Sequence, residues 1–282
     1  MPTLDPHVIC STITLRHLPL DQALATIADL GFTAIDLGAL PGVCDHVPYV
    51  LDDAAVEQVA ATVQASGLRV RSVNADVGDL NAHTSDEQER ERSAHLDHLL
   101  DLCVAIASDA LVLPNGAQEH EPVDTLEADL DRVASRLTAY AARAAARGVE
   151  LWVEAPHWFR LAYDLERTAA LLGRLPADVG VVCDVSHITA SGSTPAAFLD
   201  AFGDRTRHVH LRDAEPGYIH HSIGNGRVDF PALVNALARI DYRGDLALEL
   251  ETRDVADADR PAAALAAAEY VSGLRSQTAA TN

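Results

Sequence analysis

The sequence predicts an α/β protein, a (β/α)8 barrel formed by one domain over residues 1–282, and three observations point there. Short aliphatic, β-branched runs alternate eight times with longer Ala- and Leu-rich stretches of helical spacing, which is the signature of a parallel sheet. Eight units in a chain of 282 residues suit a closed barrel better than an open doubly wound sheet. The turn after the first strand lacks the GxGxxG of a dinucleotide-binding fold.

The predicted strands are HVICSTI (7–13), TAIDLGA (33–39), LRVRSVNA (68–75), ALVLPNG (110–116), VELWVEA (149–155), VGVVCDV (179–185), RHVHLRD (207–213) and DLALELE (245–251). Leu126, Leu130, Val133 and Leu137 mark one face of the helix between the fourth and fifth. Ser85 with Gln88, and Asp124 with Glu127, have capping-box spacing and predict two helix starts. The acidic run 86–92 then reads as the solvated first turns of a helix. Gly31, Gly67, Gly148 and Gly244 each precede a strand, where a helix-closing glycine belongs.

Composition removes several classes of function. A net charge of −21 argues against a nucleic-acid partner, because phosphates are held mainly by Lys and Arg. The chain has no lysine, which excludes Schiff-base and pyridoxal phosphate chemistry. No run of about 18 apolar residues occurs and MPTLDPHVIC lacks a signal-peptide pattern, so a cytoplasmic protein that does not span a membrane is expected. Cys10, Cys44, Cys103 and Cys183 lie far apart and read as buried reduced thiols.

Strand parity locates the chemistry. Residues pointing out of a barrel strand pack on helices and must be apolar; inward residues near its C-terminal end face the mouth. In RHVHLRD, Val209 and Leu211 are then outward, while His208, His210 and Arg212 point inward. The same test leaves Glu154 inward on the fifth strand, Asp184 on the sixth, and Glu249 and Glu251 on the eighth.

Four consecutive strands thus deliver Glu154, Asp184, His210 and Glu249 to one rim. Carboxylates about 4 Å apart repel by roughly 4 kcal/mol per pair at an effective dielectric of about 20. A divalent cation relieves this; a buried ion-pair network using Arg212 and Arg160 is the alternative. One imidazole with three carboxylates suits Mn²⁺ or Mg²⁺, with Co²⁺ or Zn²⁺ also compatible.

The chain resembles the xylose-isomerase-like TIM-barrel family of sugar (phosphate) isomerases and epimerases, which also includes inosose dehydratase and endonuclease IV. VELWVEAPH is similar to the family's fifth-strand metal glutamate, CDVSH to its D-x-x-H motif, HVHLRD to its H-x-H-[LV]-[KR]-D strand, and residues 224–251 to its closing G-x-G-x-V-D-F run and final glutamate. The resemblance implies Glu154, Asp184, His210 and Glu249 as metal ligands and His187 as a substrate contact. Where many members have Asn-His after the fifth-strand glutamate, this chain has Ala-Pro-His-Trp, so His157 and Trp158 reshape one pocket wall. Glu215 and Pro216 stand where free-ketose epimerases carry an arginine, which counts against a simple ketose epimerase. Asn74, Asp76 and Asn115 end strands where endonuclease IV needs metal histidines.

The expected function is therefore a divalent-metal-dependent isomerase or epimerase. It would act on a small polyhydroxy carbonyl compound by proton transfer through an enediolate, with Glu154 and Glu249 carrying the proton. His187, His208, Arg212, Asn115 and His157 are the expected substrate contacts, with Trp158 or Phe159 covering a sugar face. An inosose dehydratase-like elimination on the same site is the second expectation, and a non-catalytic metal- or sugar-binding barrel the third. The expected partner is a small sugar-like molecule, and a homo-oligomer is compatible with the sequence. Asp45 and His46 read as a solvated loop, Gly224 and Gly226 as a turn with Arg227 the nearest cation, and His220 and His221 as part of a long loop.

Overall fold

Eight parallel strands close into a barrel in the computed structural model, which describes residues 4–281. In chain order the strands are β1 (Val8–Ser11), β2 (Ala34–Ala39), β3 (Arg69–Ala75), β4 (Ala110–Pro114), β5 (Glu150–Glu154), β6 (Gly180–Asp184), β7 (Thr206–Leu211), β8 (Asp213–Glu215), β9 (Tyr218–His221) and β10 (Leu246–Leu248). The barrel runs β1-β10-β7-β6-β5-β4-β3-β2, and β8 and β9 form an antiparallel hairpin above its rim. The helices are α1 (Leu20–Asp29), α2 (Asp53–Ser66), α3 (Asp86–Ala105), α4 (Leu126–Ala145), α5 (Leu165–Leu172), α6 (Val185–Ala190), α7 (Pro195–Phe202), α8 (Phe230–Arg239) and α9 (Arg260–Thr281).

Parity divides the core in two. Leu151, Val153, Val181, Cys183, Val209, Leu211, Leu246 and Leu248 belong to the large cluster between sheet and helices. The barrel interior is filled separately, by Ile9, Ala34 and Ala247 and by Ala110, Val112, Trp152 and Val182. Trp152 is fully buried and carries Arg71 over its ring at 4.6 Å, closing the N-terminal end of the barrel. A filled interior confines ligand access to the C-terminal rim.

Several local expectations shift. The first strand stops at Ser11, whose hydroxyl accepts from Ile13 N–H and opens a 3-10 turn over Thr12–Leu15. The eighth barrel strand is three residues, Leu246–Leu248, so Glu249 and Glu251 lie past its end. Ser85 and Gln88 form the predicted capping box. Asp124 does not cap α4: Thr125 does, and Asp124 pairs instead with Arg132 and His83. Gly67 closes α2 at φ +70°, but Gly244 takes no positive φ; Asp241, at φ +53°, makes the left-handed turn after α8. All four cysteines are free and buried, and no helix among the described residues is long and apolar enough to cross a membrane.

Candidate active site and metal centre

Glu154 is the last residue of β5, Asp184 the last of β6, His210 lies near the end of β7, and Glu249 follows β10. Parallel pairing puts Asp184 beside His210 and His210 beside Ala247, so successive inward positions converge on one point. One ligand atom from each of the four residues lies within 4.8 Å of the others, and all four side chains are buried. His210 Nδ1 is 3.4 Å from Glu154 Oε1, 3.5 Å from Glu249 Oε2 and 3.9 Å from Asp184 Oδ2.

The cluster leaves polar atoms unsatisfied. His210 Nδ1 and Asp184 Oδ2 are buried without a hydrogen-bond partner, a state that costs of order 1–3 kcal/mol per atom, more where the group is charged. Both face the centre of the four-residue group, so three carboxylates and an imidazole form a donor set that fits a divalent cation. The alternative ion-pair network does not assemble around Arg160, which pairs with Asp76 at 2.5 Å and donates to Gly116 O at 2.6 Å. Arg212 comes only to 3.9 Å of Asp184 and spends its donors on Ser186 Oγ and Glu251 Oε2.

Titration follows from this crowding. Burial, with the neighbouring Glu249 and Asp184 carboxylates, pushes Glu154 up to about 7 against the opposing pull of His210. Burial also opposes ionisation of Asp184, but Arg212, His210 and the Ser186 and His187 donors outweigh it and hold that carboxyl low. Burial disfavours a charge on His210, yet Glu249, Asp36 and Glu154 outweigh it and raise the imidazole well above its usual range.

Two supporting roles, those of Asn74 and Asp36, were not read from the sequence, which named Asn74 only as a strand end. Asn74, buried on β3, donates to Glu249 Oε1 at 2.9 Å and fixes that carboxylate. Asp36, wholly buried on β2, accepts from Ser72 Oγ at 2.7 Å, meets His208 Nε2 at 2.6 Å and lies 3.3 Å from His210 Nε2. Asp36 was legible as a lone acid between the outward Ile35 and Leu37.

Above the cluster is a cavity of about 260 Å³ whose walls include His157, Phe159, His187, Arg212 and His220. A second cavity, of about 460 Å³, lies on the helix side under α9, away from these groups. Three expected substrate contacts sit elsewhere. His208 is one layer down, fully buried and stacked on Trp152, because its position is two residues deeper along β7 than His210. Asn115 is fully buried and consumed by the backbone: it donates to Glu154 O and Ala162 O and accepts from Ala162 N–H. Trp158 turns away to pack edge-on against His120 and Tyr163, leaving Phe159 as the exposed ring at the cavity.

The minor candidates separate cleanly. His46 is buried and tied to Cys44 Sγ and Leu18 O, rather than lying in a solvated loop. His220 lines the cavity, whereas His221 pairs with Glu215 on the hairpin. Gly226 is required by packing, since a Cβ there would meet Asp213 Oδ1 at 2.3 Å and Ala214 O at 2.6 Å.

The sequence profile of the xylose isomerase-like TIM barrel matches residues 24–274. The chain is 28% identical over 260 residues to a Streptomyces coelicolor protein provisionally named a hydroxypyruvate isomerase, covering 86% of this chain and 89% of that one. A solved L-ribulose 3-epimerase superposes with a TM-score of 0.79 at 18% identity, covering 97% of this chain and 96% of the other. The IOLI protein, solved with a zinc atom, superposes at 0.75 and 18% identity, covering 96% and 98%.

Proposed function

The chain belongs to the xylose isomerase-like TIM-barrel family, and we propose that it is a divalent-metal-dependent isomerase or epimerase of a small polyhydroxy carbonyl compound. The observation that carries the reading is the convergence of Glu154, Asp184, His210 and Glu249, with His210 Nδ1 and Asp184 Oδ2 buried and without a hydrogen-bond partner. An isomerase-named relative, an epimerase of the same fold and a zinc-bearing protein of the same fold support it. These four residues would hold the ion, which when bound supplies Lewis-acid polarisation of a carbonyl and its neighbouring hydroxyl.

The proton work belongs to the chain. Glu154 and Glu249 approach the centre from β5 and from the end of β10, so they would reach a bound carbon from different sides. One carboxylate takes the proton beside the carbonyl; the C–H electron pair becomes a C=C bond and the carbonyl π pair moves onto oxygen. Return of a proton to the far face inverts the centre, and return to the adjacent carbon isomerises the substrate. In the metal-free protein burial, with the Glu249 and Asp184 carboxylates, pushes Glu154 up to about 7; a bound cation would oppose that shift and favour the carboxylate form that accepts the proton. Arg212 and His187, both at the cavity wall, would hold substrate oxygens.

The test is product analysis by NMR in D₂O with Mn²⁺-loaded protein and a panel of ketoses, inososes and hydroxy keto acids. Deuterium at carbon without loss of water is expected. A dehydrated product would replace this reading by elimination, and an unchanged panel would reject it.

A further inference from the structure

His157 and His187 stand side by side on the cavity wall, rings stacked at 3.9 Å and 26°. Their outer nitrogens lie near carboxylates: His157 Nε2 is 3.8 Å from Glu154 Oε2, and His187 Nε2 is 3.9 Å from Asp184 Oδ2. Glu154, His157 and His187 each place a ligand atom within 4.8 Å of the others, which by composition resembles a second cation site. The inner nitrogens decide otherwise. His187 Nδ1 accepts from the Trp158 N–H at 2.9 Å, and His157 Nδ1 accepts from the Phe159 N–H at 3.3 Å. A nitrogen that accepts a backbone N–H carries no hydrogen, so in each neutral ring the hydrogen is on Nε2. That leaves Nε2 an N–H donor with no lone pair for a metal. Two consecutive backbone amides therefore orient two adjacent imidazoles in the same tautomer, and both rings line the cavity.

We infer that His157 is a second fixed N–H donor beside His187, and that the pair donates to the substrate oxygen that gains charge as a proton leaves the neighbouring carbon. The chemistry it takes is an α-hydroxycarbonyl oxygen in its anionic, enediolate-like form; a preorganised pair of donors costs no reorganisation as that charge develops. This role rests on the proposed proton transfer, but the donor pair can be read without turnover.

The probe is glycolohydroxamate, a planar enediolate mimic, titrated into Mn²⁺-loaded wild type, His157→Leu and His157→Gln, with ¹⁵N-histidine NMR of the wild type. The expected results are an Nε2–H tautomer for His157, a loss of hydroxamate affinity of about 10²-fold in His157→Leu, and recovery of most of it in His157→Gln, whose amide restores a donor. One Mn²⁺ per chain should bind to all three proteins. An Nδ1–H tautomer, unchanged affinity in His157→Leu, or two Mn²⁺ per wild-type chain falling to one in His157→Leu would overturn the inference. Should His157→Leu not fold, the wild-type tautomer and stoichiometry and the His157→Gln affinity decide the matter. A failed D₂O panel with these results intact would reject the reaction and keep the donor pair.

Discussion

Asp36 Oδ2 lies 3.3 Å from His210 Nε2, directly behind the ring whose Nδ1 faces Glu154 and Glu249. A carboxylate on one imidazole nitrogen favours a hydrogen there and leaves the other nitrogen's lone pair for a cation. Burial opposes ionisation of Asp36, but His208 and His210 outweigh it and hold the carboxyl well below the usual range. Asp36→Asn should therefore weaken Mn²⁺ affinity by about 10- to 100-fold in a calorimetric titration. Affinity equal to wild type would show that Asp36 only supports His208.

Metal affinity should rise with pH. Glu154 is pushed up to about 7 in the metal-free protein, chiefly by burial, and His210 is raised well above its usual range, so a cation must displace protons from both. The same raised carboxyl fixes a sign for stability: its contribution is full below the ordinary carboxylate pKa and is lost as pH rises through about 7. Titration from pH 6 to 8.5 should give tighter binding with net proton release. A flat affinity over that range would contradict the placement of Glu154 in the donor set.

Acid sensitivity has a separate source. Asp129 is buried on α4, where it accepts from Asn81 Nδ2, the Val123 and Asp124 N–H groups and Arg132, at 2.7–3.2 Å. Burial opposes its ionisation, but those donors outweigh it and lower the carboxyl. The stability it contributes is present above the ordinary carboxylate pKa, near 4, and is lost as pH falls through its lowered value. Asp129→Ala, measured by denaturant unfolding at pH 7, should cost about 3 kcal/mol and leave the rim cluster intact. A cost under about 0.5 kcal/mol would mean that other donors hold the loop before α4.

Glu249 and Glu251 share inward parity but not surroundings. Glu249 joins the cluster and is held by Asn74, while Glu251 pairs with Arg16 at 2.7 Å and Arg212 at 3.3 Å. Glu249→Gln should weaken metal binding and cut turnover by about 10²-fold or more, whereas Glu251→Gln should keep the metal and lose less. The reverse order of effects would put Glu251 rather than Glu249 in the donor set.

Legibility followed periodicity. Which way a strand side chain points follows from parity, so Glu154, Asp184 and His210 were legible at one rim, and Glu249, one residue past β10, keeps the parity of that strand. Depth along the strand and local hydrogen bonding are not periodic. His208 shares parity with His210 yet lies a layer deeper, and Asn115 is captured by the Ala162 backbone, which no spacing reveals. Trp158 and Phe159 are adjacent, and only the loop's course decides which ring meets the cavity. Asp124 and Thr125 are both good caps, and an ion pair with Arg132 settles that choice.

A divalent-metal centre at Glu154, Asp184, His210 and Glu249 is tested by metal stoichiometry joined to thermal unfolding of the chelated and reloaded protein. Binding to the folded state alone stabilises it by RT ln(1 + [L]/Kd), about 2.7 kcal/mol at a free metal concentration of 100 Kd. One divalent ion per chain, a clear rise in melting temperature on reloading, and loss of both in Asp184→Asn are expected. Identical melting of the two forms with no ion retained would contradict the metal centre.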